Sequence, residues 1–242
     1  ADFPDVIGNV TIKEAYLVKP IPNSPKAIID LDFTGQKVVL DVHVPTTQVQ
    51  YVDVTGPIEL YRERNADLKI TSTDNINLAL AEVVLNPLHE IFKFDLGPVP
   101  IMDIKGSGNI DLHVTGNKKL PHAWGQFNFK NTTASFNDIH HLVLQNGSGK
   151  LTFDDADTHF VTYTAILNGQ PVSVDGTCTL QGVLDFDVTA NNQKLENLIN
   201  VIKSSPMLVD IQQMIAPIEK AQGPANLKLN LTGKVKDPKD IV

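Results

Sequence analysis

The chain has 242 residues, of which 28 are acidic and 20 basic, so its formal net charge is −8, and it holds one cysteine. The acidic balance argues against a nucleic-acid-binding protein, which would carry a basic patch, and one cysteine excludes an internal disulfide framework and a multi-cysteine metal site. The longest apolar run is four residues, Leu78 to Ala81, which is too short to cross a bilayer.

Alternation of apolar and polar residues dominates the chain, and this period of two predicts β-strands with one apolar and one wet face. Such one-sided burial is typical of antiparallel sheets. In chain order, strands are predicted at 26–33, 37–44, 48–54, 56–61, 66–72, 109–114, 125–131, 142–145, 148–154, 159–167, 171–176, 184–190 and 225–232. Hairpin connections are predicted at Gly35-Gln36, Asn146-Gly147 and Asn168-Gly169, because glycine and asparagine tolerate positive φ.

Helical periodicity appears in two stretches and predicts two short helical insertions. The first lies near 77–93, and the second lies near 194–216, where Pro206 interrupts the pattern. We expect the apolar face of 194–203 to cap one end of the sheet. The alternative is a gate over the apolar face or a contact with a membrane surface, for which this stretch carries few cations.

An internal repeat links two segments of the chain. The sequence GSGNIDLHVTGNKKLP at 106–121 aligns with GPANLKLNLTGKVKDP at 223–238, an offset of 117 residues. Both copies follow a predicted helical insertion, and self-similarity at a fixed offset is the mark of repeat architectures. We therefore expect a lead-in strand region at 1–25, a first repeat at 26–122, a second at 123–242, and a longer repeating chain of which this sequence is a piece.

The first copy of the repeat carries glycines around an alternating strand, followed by a proline and a further glycine. This pattern resembles the repeat of the AsmA-like family, the TamB–YhdP group of bacterial repeating β-groove proteins. The resemblance covers residues 100–242 well and 26–100 loosely. The residues that carry it are Gly106, Gly108, Ile110, Leu112, Val114, Gly116, Pro121 and Gly125.

The resemblance implies a mainly β fold: a long, strongly curved antiparallel sheet that forms a groove. It implies bridge-like lipid transport, in which the apolar groove shields phospholipid acyl chains between the inner and outer membranes of diderm bacteria. The implied location is the periplasm, with an inner-membrane anchor in a segment outside this sequence. The implied partners are acyl chains, neighbouring repeats and envelope membrane proteins, without nucleic acid and without a cofactor.

The candidate groove-lining residues are the apolar members of the alternating strands. A wall of aliphatic and aromatic side chains would bind acyl chains without selecting a head group. The candidates are Val38, Leu40, Val42, Ile110, Leu112, Val114, Phe127, Phe129, Leu151, Phe153, Tyr163, Leu167, Val172, Val174, Leu184, Phe186, Val188, Leu227, Leu229 and Leu231.

An apolar sheet face must be covered by another layer, and two short helices are too little cover for about a dozen strands. Each apolar side chain left in water forgoes about 1.5–3 kcal/mol. The face therefore either curves and takes up lipid, or closes on itself. The second possibility defines the alternative function, a closed β-sandwich or barrel that acts as an adhesin or a carbohydrate-binding module.

Catalytic motifs are weak, and we do not expect an enzyme. His89-Glu90 begins like a zinc-protease motif, but the second ligand position, 93, is Lys. The cluster of His140, His141 and His159 with the acidic run from Asp154 is interpreted as loop and solvated strand ends rather than a metal site. Cys178 is expected to be a small core residue, and Trp124 to anchor the start of a strand.

Overall fold

The computed structural model describes residues 5–15, 26–46, 49–61, 64–78, 101–117, 119–136, 142–155, 158–179, 183–204, 209–218 and 221–234. Within these residues the chain is mainly β, and its strands form one open antiparallel sheet of 13 strands accompanied by two short helices. This confirms the predicted mainly β fold class and its antiparallel sheet, and both short helices lie within the predicted insertion near 194–216.

The strands are hydrogen-bonded in chain order, except that β5 and β6 both pair with β7. The strands are β1 (Val6–Ala15), β2 (Ala27–Gly35), β3 (Lys37–Pro45), β4 (Tyr51–Glu59), β5 (Ala66–Ser72), β6 (Ile76–Asn77), β7 (Ile101–Asn117), β8 (Leu120–Phe136), β9 (Val143–Asp155), β10 (Thr158–Leu167), β11 (Gln170–Cys178), β12 (Val183–Lys194) and β13 (Pro224–Lys234). The helices are α1 (Leu195–Ser204) and α2 (Val209–Ile215).

Two of the three predicted hairpin connections are present. β2 ends at Gly35 and β3 begins at Lys37, and Gly35 has a φ of 79°. β10 and β11 are joined by Asn168 and Gly169, whose φ values are 53° and 81°. Positive φ at both central residues is the requirement of the type I′ hairpin turn, which Asn-Gly satisfies.

The third predicted hairpin, Asn146-Gly147, is wrong, because both residues lie inside β9. Asn146 has a φ of 51°, and the alternation of burial changes sides there: Leu144 is partly buried before it, and Gly147 is buried after it. A single residue in the left-handed conformation thus changes which alternate residues of β9 point to the buried side, while the strand continues in the same direction. The predicted strands 142–145 and 148–154 are therefore one strand.

The predicted division between 48–54 and 56–61 is also wrong, because β4 runs unbroken through Gly56 from Tyr51 to Glu59. The predicted helical region near 194–216 is confirmed as α1 and α2. Helix α1 turns Leu198 and Ile199 inward, where both are buried. The predicted helical insertion near 77–93 lies, from residue 79 onward, outside the described residues.

The chain divides into two compact units by its contacts. Unit 1 is Ala1–Phe94, Ser107–Asn128 and Thr152–Asp157, and unit 2 is Asp95–Gly106, Phe129–Leu151 and Thr158–Val242. Strands β7, β8 and β9 contribute residues to both units. Each unit has an apolar face, which its cross-strand pairing defines.

In unit 1, directly paired residues on neighbouring strands are apolar on the same face. A transverse row crosses six strands, and its central members are 1–7% exposed. Burial of aliphatic side chains on this scale is the main favourable term in folding. In order from β1 to β7, the row is Ile12, Ile29, Val42, Val54, Ile70 and Leu112.

In unit 2, the corresponding face is less covered. A row across β10, β11, β12 and β13 joins Tyr163, Val174, Val188 and Leu229, and all four are only partly buried. The neighbouring row of Ala165, Val172, Ala190 and Leu227 supplies three buried side chains to the core of this unit.

A mid-strand glycine in β8 allows a close approach between two backbones. Gly125 has a φ of 121°, and a Cβ atom at this position would stand 2.1 Å from the carbonyl oxygen of Asp111 in β7. Gly176 in β11 repeats the arrangement, with 2.1 Å to the carbonyl oxygen of Asp185 in β12. Glycine inside a strand often marks such a bend or close approach.

We expect Gly125→Ala to lower the free energy of unfolding by about 3 kcal/mol or more, because it adds both backbone strain and a clash with a carbonyl oxygen. Gly169→Ala is the matched control, since Gly169 has a φ of 81° but no atom within 4 Å of its Cβ position. It should cost only about 1–2 kcal/mol. Urea unfolding followed by circular dichroism measures both, and equal losses would contradict the assigned close approach.

Candidate functional site

The predicted lining residues of unit 1 lie on its apolar face, and most of them are covered. Val38, Val42, Ile110, Leu112 and Val114 are 2–8% exposed, whereas Leu40, Phe127 and Phe153 are partly buried. The exposed part of this face lies at the sheet edge, where β1 presents Val6, Val10 and Ile12 with 38–45% of each residue exposed.

The predicted lining residues of unit 2 are more accessible. Leu167 and Val172 are buried, and the side chain of Leu184 lies outside the described residues. The remaining candidates are partly buried, so each keeps some apolar surface in contact with solvent. They are Phe129, Leu151, Tyr163, Val174, Phe186, Val188, Leu227, Leu229 and Leu231.

Few polar atoms interrupt the apolar face of unit 2. The Tyr163 hydroxyl lies 3.0 Å from Thr132 Oγ1, so the two hydroxyls satisfy each other. Gln193 is fully buried, and its Nε2 donates to the carbonyl oxygen of Pro171 at 3.3 Å. Its Oε1 has no hydrogen-bond partner among the described residues. In β11, β12 and β13 this face holds no charged residue.

Cys178 lies at the end of β11, and its pairing with Leu184 places it on the same face as Val174. The thiol is partly buried, and burial raises its pKa above the ordinary value, because desolvation disfavours the thiolate. As the one cysteine of the chain, it is a chemical reporter for the apolar face of unit 2.

The opposite, polar face of unit 1 carries a cluster that sequence reasoning missed. Trp124 has two imidazole neighbours: its ring centroid is 5.7 Å from that of His113 and 5.9 Å from that of His122. Each imidazole contacts a carboxylate, Asp67 at 2.6 Å and Asp155 at 2.8 Å. The alternation of β8 showed that Trp124 faces away from Phe127, but only the strand register brings the other residues to it.

The other residues weighed as possible metal ligands give no site. His89, Glu90, His140 and His141 lie outside the described residues, as does the side chain of His159. Within the described ranges, no group of three or more His, Cys, Asp or Glu side chains is arranged to hold a metal ion.

Comparisons with protein-family models, with curated proteins and with solved structures found no match. Among the described residues, no helix has the length and apolar character needed to cross a membrane.

The raised pKa of Cys178 predicts slow alkylation in the folded chain. At about pH 8, iodoacetamide should react more slowly with Cys178 in the folded chain than in the urea-unfolded chain, whose thiol has an ordinary pKa of about 8.5. The rate in the folded chain should keep rising as the pH passes that value, because the thiolate forms only near the raised pKa. Equal rates in the folded and unfolded chain would contradict the burial of this thiol.

Proposed function

We propose that this chain is a segment of an AsmA-like cell-envelope lipid-transport protein whose apolar sheet faces shield phospholipid acyl chains. The observation that carries the proposal is the transverse row Tyr163, Val174, Val188 and Leu229. It is apolar across four strands and remains partly exposed. A folded chain that presents such a surface to water gains by covering it with an apolar ligand.

The energetic argument concerns the surface that remains exposed in unit 2. Burial stabilises by about 25 cal/mol for each Å² of apolar surface removed from water. Nine candidate residues of unit 2 keep part of their surface in solvent, and contiguous apolar patches on a protein surface mark sites for lipid, protein or other apolar ligands. An acyl chain matches this surface because it offers no polar group that would need a partner.

The composition of the face favours an acyl chain over a polar ligand. The face has no charge in β11, β12 or β13, and the Tyr163 hydroxyl already contacts Thr132. Most ligand pockets combine apolar walls with a few polar groups that fix orientation and give specificity. A wall that lacks polar groups in most positions binds mainly through the apolar surface that it buries. Such binding suits a carrier that accepts lipids with different head groups.

The curvature that a groove requires is part of the proposal. Gly125 and Gly176 each face the backbone of a neighbouring strand at a distance that no side chain tolerates. Glycine kinks at such positions are the means by which sheets acquire strong local bending. These sites support a curved sheet in each unit and identify where the bending would be concentrated.

The internal repeat supports the resemblance to a repeating chain. The described parts of its two copies lie mainly on strands β7 and β13, and two pairs of equivalent glycines have positive φ in both copies. Gly106 and Gly223 have φ values of 132° and 117°, and Gly116 and Gly233 have values of 90° and 145°. The proposal accordingly includes neighbouring repeats as partners and the periplasm as the location.

Uptake of a fluorescent phospholipid tests the proposal. NBD-labelled phosphatidylethanolamine should bind the purified chain, and Leu229→Asp should reduce uptake at least fivefold, because it places a charge on the acyl-binding face. Asn226→Asp is the matched control: it adds the same charge to the same strand, but at an exposed position, and it keeps an oxygen to accept the bond from the Asn192 amide. This control should take up lipid normally.

Protection of Cys178 gives a second readout that does not depend on a variant. Bound phospholipid should slow alkylation of this thiol, and organic extraction with mass spectrometry should recover phospholipid from the native chain. Circular dichroism separates loss of uptake from loss of folding in Leu229→Asp, and Leu229→Gln gives an uncharged version. A chain without co-purified lipid, uptake or Cys178 protection would support the alternative of a closed β-domain.

A further inference from the structure

The polar face of unit 1 carries a large aromatic side chain where alternation predicts polar ones. Trp124 belongs to the wet face of β8, and 38% of the residue is exposed. It contributes nothing to the apolar face, which on this strand is formed by Ala123, Gly125 and Phe127. The exposed part of the indole is therefore unfavourable in water, and packing in the core of this unit does not compensate for it.

The surroundings of Trp124 are symmetrical in chemistry. His113, in β7, and His122, two residues earlier in β8, both lie near the indole, and the plane of the His122 ring is within 8° of the indole plane. Beyond them, Asp67 in β5 contacts His113 Nε2, and Asp155 in β9 contacts His122 Nδ1. The row thus reads carboxylate, imidazole, indole, imidazole, carboxylate across four strands.

The polar groups of this row remain available to a ligand. The side chains of Asp67 and Asp155 are each 62% exposed, and that of His113 is 51% exposed. Each carboxylate uses one oxygen for its imidazole and keeps a second oxygen with acceptor capacity. Lys69, the direct cross-strand partner of His113, is also exposed and adds a donor beside the row.

We propose that this row, Asp67, His113, Trp124, His122 and Asp155, is a binding site for a neutral pyranose oligosaccharide. The negative face of the indole attracts the partially positive C–H groups of a sugar ring. The flanking carboxylates accept hydrogen bonds from hydroxyls, and charge-assisted bonds of this kind are the stronger ones. Acceptors spread over four strands fit an extended oligosaccharide better than they fit a compact ion.

Two other ligand classes fit the row less well. A metal ion would need ligands that converge, and no such group occurs among the described residues. An organic cation would be attracted to the indole face, but the exposed Lys69 beside the row carries a like charge that disfavours a second cation there. Binding of an organic cation is therefore the alternative result that the experiment must distinguish from binding of a sugar.

The proposed sugar site does not rest on the lipid-transport proposal, because it lies on the polar face of unit 1, whereas the proposed lipid-binding row belongs to unit 2. Replacement of Trp124 should leave uptake of the fluorescent phospholipid unchanged, and Leu229→Asp should leave sugar binding unchanged. Failure of one proposal is therefore distinguishable from failure of the other.

The chain offers a direct assay, since Trp124 is the one tryptophan in the sequence. Its fluorescence reports on this site alone. We expect cellotetraose, chitotetraose or maltotetraose to change its emission saturably, with a dissociation constant in the micromolar to millimolar range. Trp124→Ala, measured by calorimetry, should weaken binding about tenfold or more, because the stacking surface is lost.

Three further variants make the test specific. Asp155→Asn and Asp67→Asn keep the fluorophore and should each weaken binding several-fold, since the charged acceptor is lost. Tyr51→Ala is the matched control, because Tyr51 is also 38% exposed and lies 5.0 Å from His43, which contacts Asp53 at 2.6 Å. The Tyr51 site lacks a second imidazole and a second carboxylate, so the Tyr51→Ala variant should bind sugar as the unmodified chain does.

The following results would overturn the proposal. One is an emission unchanged by all three oligosaccharides up to about 10 mM, a concentration that reveals even millimolar binding. Another is a response to tetramethylammonium chloride with none to sugars, which would assign the row to cations. A third is an equal loss of sugar binding in Tyr51→Ala and Trp124→Ala, which would show that the row does not define the site.

Discussion

A β-sheet with one apolar face depends on parity: every strand must turn its apolar residues to the same side. Because side chains alternate along a strand, a slip of one residue would move the whole apolar set into water. The pairing meets this constraint across long rows. One such row joins Ile12 to Leu112 through six strands, and another joins Tyr163 to Leu229 through four.

Extra residues are accommodated by single left-handed residues. The pairing of β1 with β2 shifts by one residue between Ile12 and Ala15, where Glu14 has a φ of 66°. The pairing of β12 with β13 shifts by one residue between Ala190 and Gln193, where Asn192 has a φ of 52°. Beyond such a bulge, the apolar residues of the longer strand again point to the same side of the sheet as those of its partner. The Asn226 side chain accepts a bond from the Asn192 amide at 2.8 Å, so this N–H has a partner at the bulge.

The parts of the fold that could be predicted from the sequence are those that parity alone determines. Strand β5 was predicted with its observed ends, 66–72, because its alternation is regular and Asn65 and Thr73 bound it. The failure at Asn146-Gly147 has a physical reason: both a hairpin and a bulge need a residue that tolerates positive φ. What distinguishes them is whether neighbouring strands continue to pair beyond the residue, and that depends on chain far away in sequence.

The candidate sites also differ in how far the sequence predicts them. The apolar rows of unit 2 were predictable as a set, because each member is the apolar half of an alternating strand. Their degree of exposure was not, because it depends on which residues cover the face. The cluster around Trp124 was unpredictable for another reason: Asp67, His113 and Asp155 come from three strands separated by up to 88 positions, and register alone brings them to one row.

The two units use the same alternation with different results, and this difference bears on function. In unit 1 the middle of the apolar face is buried within the chain, with Val54, Ile70 and Leu112 no more than 7% exposed. In unit 2 the row of Tyr163, Val174, Val188 and Leu229 remains partly accessible, whereas the neighbouring row contains three buried side chains. Each exposed apolar side chain weakens the folded state, and an apolar ligand that covered this row would recover part of that loss. This accessible row of unit 2 is the surface on which the proposed binding of acyl chains depends.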